Sequence, residues 1–319
     1  MAGTEGGLAQ ANYVETAFSK TLEDVSLERF DVFLNFPKDQ EGTRQVAISG
    51  PEDLEFRAIL DEKPIYPGDH TRLNTPVFHG YSKSGHVQGP LIYANYGSRQ
   101  DFQYLRDAGV NLTGAIALVR YGRFDRALKV RAAESAGAAG CIIYNDPAEA
   151  GFAHGDVYPE GRFMPADGVE RGSVALTAFL IGDPLSPGFA STPEESHRNA
   201  LANNRGLNGI PSLPLAWRDA QHLLKAVANH GIKSDGDWVG AVPDVDYWTG
   251  DSSSPVVELK NDLEEVERVP IFNVLGRIPG VEQSEKSIIV GNHRGERRYG
   301  RRPLSSSSAE HIECAISLA

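Results

Sequence analysis

The chain is 319 residues long, 40% hydrophobic and 23% charged, with a formal net charge of −12. That length suits about two domains with a real core, and the acid excess argues against nucleic acid as a main partner, because phosphate binding needs clustered Lys and Arg. The acids are spread along the chain and read as a solvated surface, while Cys141 and Cys314 stand in unrelated positions that give neither a disulfide framework nor a metal knuckle.

No apolar run approaches the ~20 residues of a membrane span, and residues 1–10 lack the basic region and apolar core of a signal peptide. The chain therefore reads as soluble, with no membrane segment. Residues 4–20 place Leu8, Ala9, Tyr13, Val14, Ala17 and Phe18 at helical spacing, with Thr4 as the cap. Phe30–Phe36 and Arg44–Ser49 read as strands. Residues 62–89 are rich in Pro, Gly and His without periodicity and read as a long irregular connection.

The middle of the chain has the clearest pattern. Leu91–Asn95 reads as a strand, and Ser98 with Asp101 opens a helix in the manner of a capping box, through Ala108 to Gly109. Asn111-Leu112-Thr113 is a glycosylation sequon. Ala115–Arg120 is a strand, Arg126–Ala136 a helix capped by Asp125 and closed by Gly137, and Ala139–Tyr144 a strand carrying a buried Cys141. Strand, helix and strand within about 30 residues read as a right-handed βαβ crossover. Ala175–Leu180 reads as a further strand and Gly182–Phe189 as a rigid turn. Trp217–Asn229 is a helix, with Asp219 as a capping residue. Residues 242–257 read as loop with a possible edge strand. Val266–Leu275 and Ser287–Val290 are two late strands, the second buried. It ends in Gly291-Asn292-His293, an imidazole at the carboxyl end of a strand, the edge where open α/β sheets bind ligands and metals.

His70, His79, His86 and His154 have no ligand spacing and read as surface. No Ser-His-Asp arrangement, GxSxG element, HExxH helix or phosphate loop is present. An Arg at a helix N-terminus, as Arg126 is, works slightly against the helix dipole, which favours a functional reason for it. The fold class is α/β.

Four segments together resemble a known family: YGRFDRALKVRAAESAGAAGCIIYNDPAE at 121–149, MPADGVERGSVAL at 164–176, GDPLSPGF at 182–189 and GIPSLPLAWRDAQHLL at 209–224. The first looks like a protease-associated (PA) domain. Their order and spacing are similar to the glutamate carboxypeptidase II and transferrin receptor family. Residues 1–18, VPIFNVLGRIPG and SIIVGNHR resemble segments of its peptidase core, so the likeness covers roughly residues 1–294. It implies a PA-type apical domain over 34–265, flanked by pieces of a zinc-peptidase domain at 1–33 and 266–294, with a divergent tail at 295–319.

Family enzymes hydrolyse C-terminal residues from small peptides with two zinc ions, a bridging hydroxide and a general-base Glu. By the resemblance, His293 matches the first zinc ligand in a motif that continues His-Arg-Asp. Here Gly295 follows Arg294, and the bridging Asp falls near Pro303. The other ligands and the base fall beyond the end of the chain. Arg126 matches an Arg that grips a substrate carboxylate, a role suited to a bidentate guanidinium. Ser173 replaces the family's substrate-binding Asn, which puts preference for an acidic C-terminal residue in doubt. Ser186 and Phe189 match positions that give oxygens to a structural calcium, whose acidic co-ligands lie in the absent region.

The expectation is a truncated metallopeptidase homologue without peptidase activity, binding neither zinc nor calcium. The alternative is a non-catalytic PA-type binding module like the transferrin receptor. The family is often a membrane-anchored homodimer with a lumenal or extracellular domain. Arg294, Arg297, Arg298, Arg301 and Arg302, then Ser305–Ser308, admit a basic interaction tail. The plainer reading is a lost reading frame after Arg294, by splicing, gene-model error or real truncation.

Overall fold

The computed structural model describes residues 2–38, 40–64, 76–195, 197–281 and 286–294, and the backbone of 315–318. The expectations for His70, Gly295, Pro303, the tail arginines and serines after Arg294, and Cys314 fall on residues outside the described ones. The chain divides into two compact units. The first holds 1–34, 181–199 and 266–319; the second holds 35–180 and 200–265.

In the first unit, helix α1 (Glu5–Phe18) starts where Thr4 Oγ1 accepts the Gly7 N–H at 3.2 Å. It buries Ala11 and Val14 against Val274, with Phe18, Leu27 and Phe272 packed beside them. Strand β1 (Asp24–Pro37) begins in this unit and ends in the other.

The second unit is built on a seven-stranded sheet. Its strands are β2 (Arg44–Ile48), β3 (Phe56–Arg57), β5 (Gly85–Tyr93), β6 (Ile116–Arg120), β7 (Gly140–Tyr144), β9 (Ser212–Leu215) and β10 (Val256–Asn261). They lie in the order β3-β2-β10-β5-β6-β7-β9. The four from β5 to β9 are parallel, and β10 runs antiparallel between β2 and β5. A two-stranded parallel pair joins β4 (His79–Gly80) to β8 (Gly172–Ser173).

Burial follows the period of two in each strand. Ile116 and Leu118 face one side of the sheet, with Leu213, Ala220, Leu223 and Leu224. Ala117 and Val119 face the other, with Phe102, Leu105, Ala127, Val130 and Ala133. Helices α2 (Arg99–Asp107) and α3 (Arg126–Ala136) thus cover one face and α5 (Trp217–Ala226) the opposite one, which is why the parallel strands read as continuous apolar runs. A short helix, α4 (Pro147–Ala150), follows β7. Both sides of the α2 capping box form, Asp125 caps α3 through the Ala127 N–H at 2.8 Å, and Gly137 closes α3 at φ 100°. At Gly89 a Cβ would overlap the Gly114 carbonyl oxygen, so only glycine lets β5 pass that turn.

The rest of the first unit's sheet is β11 (Leu263–Ile278), β12 (Ile288–Val290) and β13 (Ala315–Leu318), in the order β1-β11-β13-β12.

Several sequence expectations are corrected. β5 starts at Gly85, inside the supposed irregular connection, because β10 pairs with it from Gly85 to Pro90. β10 is a central strand, not an edge, since both of its sides are bonded. Residues 175–180 form no strand: the Leu180 and Phe179 N–H groups both fold back to the Leu176 carbonyl, making turns. β12 is exposed rather than buried, with Ile288, Ile289 and Val290 at 64%, 75% and 52%. Asp219 does not cap α5; it is buried, faces the Ile59 N–H and pairs with Arg218 at 3.1 Å.

Candidate functional site

The parallel strands β5, β6 and β7 end side by side, and the loops that follow them hold a cluster of charged and aromatic side chains. β6 delivers Arg120, then residues 121–125 turn sharply, with Gly122 and Arg123 both at positive φ (95° and 62°). Asp125 caps α3, which makes Arg126 its first residue. One turn later Lys129 is fully buried. Its ammonium donates to the Tyr96 carbonyl at 2.7 Å and the Gly122 carbonyl at 2.8 Å, tying the loop after β5 to the loop after β6. It also lies 3.9 Å from the Phe124 ring centroid. Burial pulls the Lys129 ammonium down to about 8.

Two guanidiniums, Arg120 and Arg123, stack on the Tyr96 ring at 4.1 and 4.0 Å from its centroid. The Tyr96 hydroxyl donates to Glu149, and burial raises its pKa. Arg120 donates to the Asn95 side chain and the Asp237 carbonyl from an almost wholly buried position.

Arg126 points its NH2 at Glu170 Oε1, 2.8 Å away, with the two side chains 26% and 28% exposed. Burial lowers the guanidinium's pKa, but Tyr121 and Glu170 together carry it above its usual value. Gly172 lies directly against the same guanidinium, where a Cβ would overlap it. Ser173 follows; its backbone pairs with Gly80 and its Oγ accepts the Ala175 N–H at 3.0 Å. Arg126 and Ser173 are thus neighbours in the second unit.

Ser186, Phe189 and His293 lie in the first unit. Ser186 is fully buried and donates to Asp183 Oδ2 at 3.0 Å, while Phe189 is 46% exposed. The Asp183 carboxylate also receives Ser191 at 3.1 Å, the Phe33 N–H at 3.1 Å and the Arg198 guanidinium at 2.9 Å. The positive charge at this carboxylate is therefore Arg198. His293 is exposed at the rim of a cavity of about 460 Å³ that is also lined by Thr4, Gly7, Gln10, Asn273 and Arg294. Arg294 donates to the Gly7 and Phe272 carbonyls at 2.8 Å, and partial burial lowers its pKa. Among the described residues no three of His, Cys, Asp and Glu gather to hold a metal ion.

Asn111 is exposed after α2, its Oδ1 accepting the Thr113 N–H at 3.0 Å. His86 and His154 are exposed, on Glu258 and the Ala148 carbonyl. His79 is not a surface residue: it is fully buried between Tyr121 Oη at 2.7 Å and Ser212 Oγ at 2.9 Å, because β4 is held inside by its pairing with β8. Cys141 is buried, which pushes its thiol up to about 12. Glu170, Lys129 and Tyr96 were not singled out in the sequence. Glu170 stands 44 residues from Arg126, and only Lys129, three residues after Arg126 on the same helix, carried a signal, a lysine flanked by apolar residues.

Residues 87–176 match the PA domain family. A probable glutamate carboxypeptidase of Arthroderma benhamiae is 34% identical over 92% of this chain and 40% of its own length. A Schizosaccharomyces pombe protein named an inactive zinc metalloprotease is 34% identical over 85% of this chain and 34% of its own. A probable glutamate carboxypeptidase of Arabidopsis thaliana is 32% identical over 99% of this chain and 44% of its own. The chain spans less than half the length of these relatives. The resemblance read from the four segments is thereby shown: the chain is a PA-domain relative of the glutamate carboxypeptidase-like proteins. Among the described residues no helix is long and apolar enough to cross a membrane.

Proposed function

We propose that this chain, a PA-domain relative of the glutamate carboxypeptidase-like proteins, recognises peptides but does not hydrolyse them as a 319-residue polypeptide. In this reading residues 34–265 are the apical domain, and 1–33 and 266–294 are segments of a peptidase-type domain. The observation that carries it is Arg126, a guanidinium pinned against Gly172 beside Ser173 at the carboxyl edge of a parallel sheet. A planar fork in that place suits a carboxylate or peptide carbonyl.

The lack of hydrolysis is proposed from the sequence after His293. Gly295 stands where the family pattern places Asp, and Pro303, which has no metal-binding side chain, stands near the bridging position. Near Ser186 and Phe189, the Asp183 carboxylate is already engaged by Arg198. The names of the longer relatives point to small peptides as the class from which this chain's ligands are drawn. A homodimer, a lumenal or extracellular setting and a glycan on Asn111 belong to the same proposal. The relative named inactive favours, as a second reading, a non-catalytic PA-type module that binds a protein partner rather than a small peptide, as in the transferrin receptor resemblance.

Isothermal titration of the 319-residue chain with an N-acyl dipeptide tests the recognition. Arg126→Leu is expected to abolish binding with the fold intact. Binding that survives Arg126→Leu unchanged overturns the assignment.

A further inference from the structure

The group that Arg126 holds is a carboxylate of the chain itself. Glu170 takes one edge of the guanidinium through Oε1 at 2.8 Å. It is held in place from three sides. Its N–H donates to Asn145 Oδ1 at 2.9 Å, its Oε2 faces Asn145 Nδ2 at 3.4 Å, and its carbonyl accepts the Tyr121 hydroxyl at 2.7 Å. Tyr121 is in turn anchored on the buried His79. Arg126 is fixed as well, against Gly172, and its Nε is buried without a hydrogen-bond partner. The site is therefore a preorganised pair of opposite charges, each about a quarter exposed.

We propose that Glu170 is the specificity-determining residue of this site and turns it from a carboxylate grip into a reader of terminal carboxamides. The inference rests on the reading of Arg126 as the ligand contact. An incoming carboxylate meets a guanidinium whose fork is already part-used and a like charge beside it. A primary amide satisfies both partners: its carbonyl oxygen accepts from Arg126, and its NH2 donates to Glu170. A ligand that leaves neither charged group unmatched is favoured over one that must displace Glu170.

The test is calorimetric titration of the full chain with one N-acyl dipeptide in two forms, free C-terminal acid and C-terminal amide. The wild type is expected to prefer the amide by about tenfold, the scale set by one neighbouring charge at a partly exposed site. Glu170→Gln removes that charge while keeping the side-chain shape, and should bring the acid up by about tenfold, abolishing the amide preference. Glu170→Asp keeps the charge and should keep the amide preference, and tryptophan fluorescence confirms that each variant folds. A wild type that prefers the acid, or an acid-to-amide ratio unmoved by Glu170→Gln while Arg126→Leu still abolishes binding, overturns the role of Glu170 and leaves Arg126 standing. Binding of neither form, in any variant, overturns the Arg126 reading and this inference with it.

Discussion

Lys129 gives the sharpest handle on the loops that carry Arg126. Its ammonium is fully buried and satisfied by two backbone carbonyls, so its charge is retained at a cost. A fall from 10.5 to about 8 corresponds to about 3 kcal/mol of differential interaction between the charged and neutral forms. Below pH 8 both folded and unfolded chains carry the proton, and this group adds no pH dependence. Between pH 8 and 10.5 the unfolded chain binds more protons than the folded one, so the contribution of Lys129 to stability rises with pH. Cys141 works in the opposite direction above pH 9, because burial holds its thiol protonated in the folded state. The comparison must therefore be made against Lys129→Met, in which only the lysine's share is lost. Urea denaturation followed by tryptophan fluorescence is suited to it, since Trp217, Trp238 and Trp248 all lie in the second unit. Going from pH 7 to pH 9.5, the wild type should gain about 2 kcal/mol on the variant. A difference that stays flat, or shrinks, would refute a buried ammonium with a lowered pKa.

Three further outcomes are expected. Asp183→Asn leaves the Arg198 guanidinium, only 10% exposed, without its carboxylate and should cost about 3–5 kcal/mol, read as faster limited proteolysis within residues 181–199. Gly89→Ala forces a Cβ into the Gly114 carbonyl and should lower the stability of the second unit by roughly 1–3 kcal/mol in the same fluorescence assay. When the chain is expressed through a secretory pathway, Asn111→Gln should remove one glycan, seen as a mass loss equal to that produced by enzymatic deglycosylation; identical masses for variant and wild type would exclude the site.

The sequence was most readable where one local interaction decides the structure. Thr4, Ser98 with Asp101, Asp125 and Gly137 mark their helix ends because a cap is made within a few residues. The apolar runs of β6 and β7 read as strands because both faces are covered. What escaped depends on distant partners. His79 looked like a loop residue because its burial comes from β8 and from Ser212, 133 residues away. The possible edge strand read within 242–257 reaches only the first two residues of β10, a central strand whose pairing on both sides comes from partners distant in sequence. The apolar triplet of β12 looked buried, since composition alone does not say what covers a strand. At the site, Arg126 was visible through family resemblance, while its counter-ion Glu170 was not, because an ion pair across 44 residues leaves no spacing to read.

Recognition without hydrolysis is put to the test by a turnover measurement. The purified 319-residue chain would be incubated with a panel of N-acyl dipeptides across a zinc titration, with free amino acid measured over time. No product above the buffer control is expected at any zinc concentration. Product formation that depends on zinc and disappears on chelation would contradict it.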